Sequence, residues 1–173
     1  MIIRSVTQVG NPVIRKKSQK VDSVKSPEVK KIIKDLVDTM RSANLVGMAA
    51  PQIGVNLRIF VTGIRETVYR KTDNTESVRV FINPKIISKS KKQVLGFEGC
   101  GSVASAGIFS KVSRSSQITV EAFSEKNEKF VVKAKGLLAR VIQHEYDHLE
   151  GVVFLDKADK KSLMSREEYL KRK

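Results

Sequence analysis

Two strong helical periodicities run through the chain. Val29, Ile32, Ile33, Leu36, Val37 and Met40 recur at spacings that gather them on one face of a helix. Ser26 is suited to cap that helix, Pro27 to its first position and Glu28 to its first turn, so it is expected from Pro27 to about Arg41. Leu137, Leu138, Val141, Ile142 and Leu149 form the second, expected to start after Gly136 and to stop at Gly151, a residue type that ends helices readily. Between them, Leu57 to Thr62 and Val78 to Asn83 are rich in strand-favouring residues, with Pro84 expected to close the second. Ser116 to Ser124 and Lys129 to Lys135 read as a hairpin turned by Glu125-Lys126-Asn127-Glu128. A short terminal helix is expected after Ser165, because Ser165-Arg166-Glu167-Glu168 has capping-box spacing. This order of elements indicates an α+β fold.

Length and composition narrow the function classes. The 173 residues suit one domain spanning 1–173, with no internal repeat or long linker to divide it. A content of 40% hydrophobic and 29% charged residues argues against a disordered, collagen-like or fibrous chain. No stretch approaches the roughly 18 apolar residues of a membrane helix, and Met1 to Gly10 lacks the apolar core of a secretory signal. A cytoplasmic protein with no membrane partner is therefore expected. The single cysteine, Cys100, rules out an intrachain disulfide. Thirty-three Lys and Arg against 18 Asp and Glu give a net charge of +15, which favours polyanions such as RNA and ribosomes. The charges are scattered as on a solvated surface, and no aromatic residues interleave with them to form a base-stacking platform. No coiled-coil pattern demands association, so a monomer is expected.

His144-Glu145-Tyr146-Asp147-His148 changes the picture. Two imidazoles four residues apart on a helix share one face, with about 6 Å between their β-carbons, so both can reach one metal ion. Glu145 is well placed beside them to exchange protons with a water. They are the only 2 histidines of the chain. A catalytic metal usually takes three protein ligands, and two residues compete for the third place. Cys100, in Glu98-Gly99-Cys100-Gly101-Ser102, offers a soft thiolate suited to zinc or ferrous iron. Glu168, further along the chain, has the spacing of a thermolysin-like peptidase, but it already has a structural role in capping the terminal helix. Cys100 is the favoured ligand.

Taken with Val46-Gly47-Met48-Ala49-Ala50-Pro51-Gln52-Ile53-Gly54, these motifs resemble those of peptide deformylases in type, order and spacing. The resemblance runs over most of the chain. It implies mixed or antiparallel sheets around a central H-E-x-x-H helix, with an N-terminal helix and a short C-terminal one. It also implies removal of the formyl group from the N-terminal formyl-methionine of nascent polypeptides, with release of formate. By the same resemblance, Cys100, His144 and His148 hold one divalent metal ion, Fe2+ natively, with Zn2+, Ni2+ or Co2+ as substitutes. Glu145 carries the proton, while the Gln52 side chain and the Gly101 N–H stabilise the oxyanion. Val46, Gly47, Leu137 and Val141 are the candidates for contact with substrate, and Glu98 and Asp147 for orienting the ligands. Arg140 is expected either to border the peptide cleft or to form a surface ion pair.

Two positions depart from the family's pattern. Leu45-Val46-Gly47 stands where Gly-x-Gly is common, and Gly101 stands where a larger residue, often leucine, follows the metal cysteine. Gly101 is expected to remove a side-chain wall and some backbone rigidity, and so to impair substrate positioning. Two other readings compete: a thermolysin-like metallopeptidase using Glu168, and a degenerate, non-catalytic relative that binds RNA or ribosomes.

Overall fold

The computed structural model of the protein describes residues 3–72 and 75–172. A short helix α1 (Pro12–Arg15) precedes α2 (Pro27–Ser42), which starts where the sequence places it: the Ser26 hydroxyl accepts the Val29 N–H at 3.2 Å. Strands β1 (Gly47–Ala49), β2 (Ile59–Thr62) and β3 (Arg79–Lys89) follow, then β4 (Gln93–Gly99) and β5 (Ile108–Ser115). The expected hairpin is β6 (Gln117–Phe123) and β7 (Lys129–Lys135), with Asn127 of its turn in the left-handed region. It leads into α3 (Gly136–Leu149), then β8 (Met164–Ser165) and α4 (Arg166–Leu170). Among the described residues no helix is long and apolar enough to cross a membrane.

The strands form two antiparallel sheets, one in the order β1-β2-β3-β6-β7 and one in the order β4-β5-β8. Helix α3 packs against β1, β2, β6 and β7 of the first sheet and against β5 of the second, so its two faces join them. The apolar face of α2 covers β1 and β2 through Leu36 and Met40 against Met48, Val61 and Ile82. Ile142 and Leu149 of α3 share a second cluster with Phe60 and Phe81, whose rings stack at 4.5 Å.

Pro84 does not end β3. The strand continues to Lys89 because the register against β6 shifts between Ile82 and Lys85, a bulge where a missing N–H costs no ladder bond. Asn83 makes the bulge with φ of +49°, and its side chain is fixed by two 2.8 Å bonds to the backbone of Val21. Strands β4 and β5 have no clear signature in the sequence. Their buried positions include Glu98, Ser110, Arg114 and Ser115, so inward and outward residues do not separate by polarity.

Candidate metal centre

The site forms where α3 passes the end of β4. His144 and His148 lie on one face of α3, their rings 5.1 Å apart. Cys100 follows β4 directly, and its sulfur is 3.2 Å from His148 Nε2. Ligand atoms of Cys100, His144 and His148 all lie within 4.8 Å of one another. Tetrahedral zinc bound by sulfur and nitrogen spaces its ligand atoms roughly 3.3–3.6 Å apart, so Cys100 and His148 already stand near that spacing and any wider pair would close in on the ion.

The donor chemistry agrees with the spacing. Burial alone would raise the Cys100 thiol, but His148 and His144 hold it well below its ordinary range. The Ser102 N–H at 3.4 Å and Gln52 Nε2 at 3.5 Å also donate to the sulfur. Burial would lower His144, yet its bonds to Cys100 and Glu98 carry it well above the usual imidazole range. The space between sulfur and rings is therefore built for positive charge, either a proton or a cation. His144 Nδ1 lies 2.9 Å from Glu98 Oε2, an arrangement that leaves Nε2 for the metal.

Glu98 is itself clamped. Arg114 donates to both of its oxygens at 2.9 Å, and Arg140 Nη1 donates to Oε1 at 2.8 Å. Burial opposes the Glu98 charge, but Arg114 and His144 hold the carboxyl far below the usual carboxylate range. Asp147 does not orient a ligand directly, as the sequence suggested. It pairs with Arg114 and with Lys157, and so acts on His144 only through Arg114 and Glu98. Arg140 is no surface ion pair: it binds Glu98 and the carbonyls of Val94, Gly96 and Val112, tying α3 to β4 and β5 beside the cavity.

Replacing Arg114 with leucine would leave Glu98 and Asp147 with reduced compensation in the interior. The metal-free variant is expected to lose about 3–5 kcal/mol in a urea titration, and metal affinity is expected to fall by about 10- to 100-fold as His144 loses its support.

Glu145 stands beside the ligands, buried, and burial raises its carboxyl to about 7. It fits because Gly47 has no side chain: a Cβ there would lie 2.5 Å from Glu145 Oε1 and 2.8 Å from Val141 Cγ1. Val46, Gly47, Gln52, Gly101, Leu137 and Val141 all line one cavity with Cys100, His144 and Glu145. Gln52 sits in the turn Ala50–Ile53, where its Oε1 accepts the Ala49 N–H at 2.8 Å and its Nε2 faces the Cys100 sulfur. Glu168 is elsewhere: its N–H is capped by Ser165, and its carboxylate pairs with Lys171 at 2.5 Å. It is absent from the cluster of candidate ligands among the described residues.

Residues 3–163 match the sequence profile of the polypeptide deformylase family. The chain belongs to that family. It is 42% identical to the peptide deformylase of Pseudothermotoga lettingae over 90% of this chain and 82% of that protein. Identity to the peptide deformylase of Dictyoglomus turgidum is 39%, over 96% and 99% of the two chains. Among solved structures, the Met-Ala-Ser-bound class I type b peptide deformylase of Acinetobacter baumannii superposes with a TM-score of 0.83 at 26% identity, covering 90% of this chain and 99% of that one.

Membership of the deformylase family sharpens what the sequence missed. Leu45 stands beside Gly101, its Cδ1 3.0 Å from where a Cβ at 101 would lie, and Gln8 Nε2 donates to the Gly101 carbonyl at 2.8 Å. Neither Gln8 nor Arg114 stands near a motif, so no local signal marked them.

Proposed function

We propose that this deformylase removes the formyl group from N-terminal formyl-methionine by general acid–base hydrolysis, with Glu145 as the proton carrier. The observation that carries this is the buried Glu145 carboxylate, set by Gly47 in one cavity with Cys100 and His144, which cluster with His148 behind them. A divalent ion held by those three residues would lower the pKa of the attacking water and polarise the formyl oxygen.

The remaining roles belong to the chain. Glu145 accepts the proton of the water that attacks the formyl carbon. Gln52 Nε2 and the Gly101 N–H donate to the oxygen that gains charge, as fixed dipoles that need no reorganisation. When the carbon–nitrogen bond breaks, Glu145 passes its proton to the leaving amine, giving formate and a free N-terminus. Leu137 and Val141, on the turns of α3 before His144, offer apolar contact for the methionine side chain, and Val46 and Gly47 border the peptide. The tripeptide Met-Ala-Ser bound to the relative from A. baumannii supports a substrate that begins with methionine.

We further assign Fe2+ as the native ion, with Zn2+, Ni2+ or Co2+ able to replace it, since a thiolate with two imidazoles suits these metals. The protein acts as a monomer in the cytoplasm, and its charge of +15 supports a salt-sensitive association with ribosomes, where substrate emerges. The test is anaerobic release of formate from formyl-Met-Ala-Ser by freshly purified protein, with metal measured in the same sample. Turnover with about one metal per chain is expected. Absence of turnover after loading with each of the four ions overturns the proposal.

A further inference from the structure

Leu45 and Gly101, the two departures from the family's motifs, line the same cavity side by side. The φ of Gly101 lies outside the left-handed region, so its backbone does not demand glycine. The space around it is tight on one side: a Cβ at 101 would lie 3.0 Å from Leu45 Cδ1 and 3.4 Å from Val6 Cγ1, so a side chain there requires Leu45 to give way by a few tenths of an ångström.

The backbone that carries Leu45 is fixed. It follows α2 in a Schellman motif, in which Asn44 adopts a φ of +56° and donates to the Arg41 carbonyl at 3.2 Å. The Leu45 N–H closes the motif on the Met40 carbonyl at 2.9 Å, and the Leu45 carbonyl accepts from Arg65 at 3.3 Å. Its side chain joins the cluster around α2 while also lining the cavity with Gly101. The end of a helix thus fixes the wall above the residue that follows the metal cysteine.

We propose that Leu45 is a positioning residue for deformylation. Its side chain holds Gly101, and through Gly101 the N–H offered to the formyl oxygen, so that positions 45 and 101 form one size-matched unit with its bulk at 45. This rests on reading the cavity as the formyl-peptide site.

A double-mutant cycle on the metal-loaded full chain, assayed with formyl-Met-Ala-Ser, tests it. Gly101→Leu and Leu45→Ala are each expected to lower kcat/KM by about 10- to 100-fold, mostly through kcat, because the oxyanion donor is misplaced. The double variant, with bulk moved from 45 to 101, is expected to recover to within about threefold of the parent. Losses that multiply in the double variant overturn the pairing.

Should Leu45→Ala unfold, Leu45→Val withdraws Cδ1 while keeping a branched side chain. Gly101→Ala is then expected to cost about tenfold in the parent and little in the Leu45→Val background; equal costs in both overturn the proposal. An activity-free readout completes the test: the Gly101 amide resonance should move on Leu45→Val, and an unmoved resonance overturns the contact. A parent chain without formate release defeats the functional reading, whereas a working parent with independent variants defeats only the pairing.

Discussion

Glu145→Gln is expected to bind metal as the parent does and to release formate at least about 10³-fold more slowly. Glutamine matches glutamate in shape, so it fits the space that Gly47 leaves open and should not disturb His144 or His148 on the same helix. What it lacks is a site for the proton. The parent needs an ionised carboxylate, so its kcat/KM should fall as acid protonates Glu145. Burial raises that carboxyl to about 7 in the metal-free chain, and a bound cation nearby would draw it down again. Residual activity of the glutamine variant should lack this acid limb. Glu145→Asp should also collapse turnover, because the carboxylate withdraws by one methylene from a position the fold defines closely. Turnover near the parent level in the metal-replete glutamine variant would remove Glu145 from the mechanism.

The parts of this molecule that the sequence disclosed are those where one physical signal dominates. Helix α2 is amphipathic and capped by Ser26, so its periodicity and its first turn agree, and it extends only one residue beyond the expected Arg41. Cys100, His144 and His148 were legible because metal chemistry restricts the residue types and, for the histidines, their spacing. Pro84 misled because a bulge excuses the missing N–H, and the bulge depends on Asn83 reaching Val21, a contact between residues far apart in the chain. Strands β4 and β5 were hidden for a related reason. Their interior face carries the Glu98 and Arg114 pair, which reads as exposed polarity until the two strands are laid side by side.

The same distinction explains Gly101. In sequence, a glycine in place of a larger residue signals lost bulk and lost rigidity. In the fold, on the pairing proposed above, Leu45 supplies the bulk while Gln8 holds the Gly101 carbonyl, both from segments that approach only through tertiary packing. Substitutions judged one motif at a time miss such compensation, because the volume that matters is shared by two motifs.

Cys100→Ser is expected to weaken metal binding by more than about 100-fold and to abolish formate release, because a serine hydroxyl stays protonated where the thiol ionises readily. The fold should survive, since the two side chains differ by one atom in a small cluster with Val103, Val112 and Phe154. Glu168→Ala should leave metal content and turnover unchanged and cost no more than about 0.5 kcal/mol, the range for an exposed residue outside any buried network. The two variants together separate the reactions that the H-E-x-x-H motif permits. A thermolysin-like site would empty when Glu168 is removed and tolerate the loss of the thiol. In this chain the sulfur, tucked against His148 and receiving the Ser102 N–H, is the group whose charge the ion must balance, so metal loss should follow the cysteine alone.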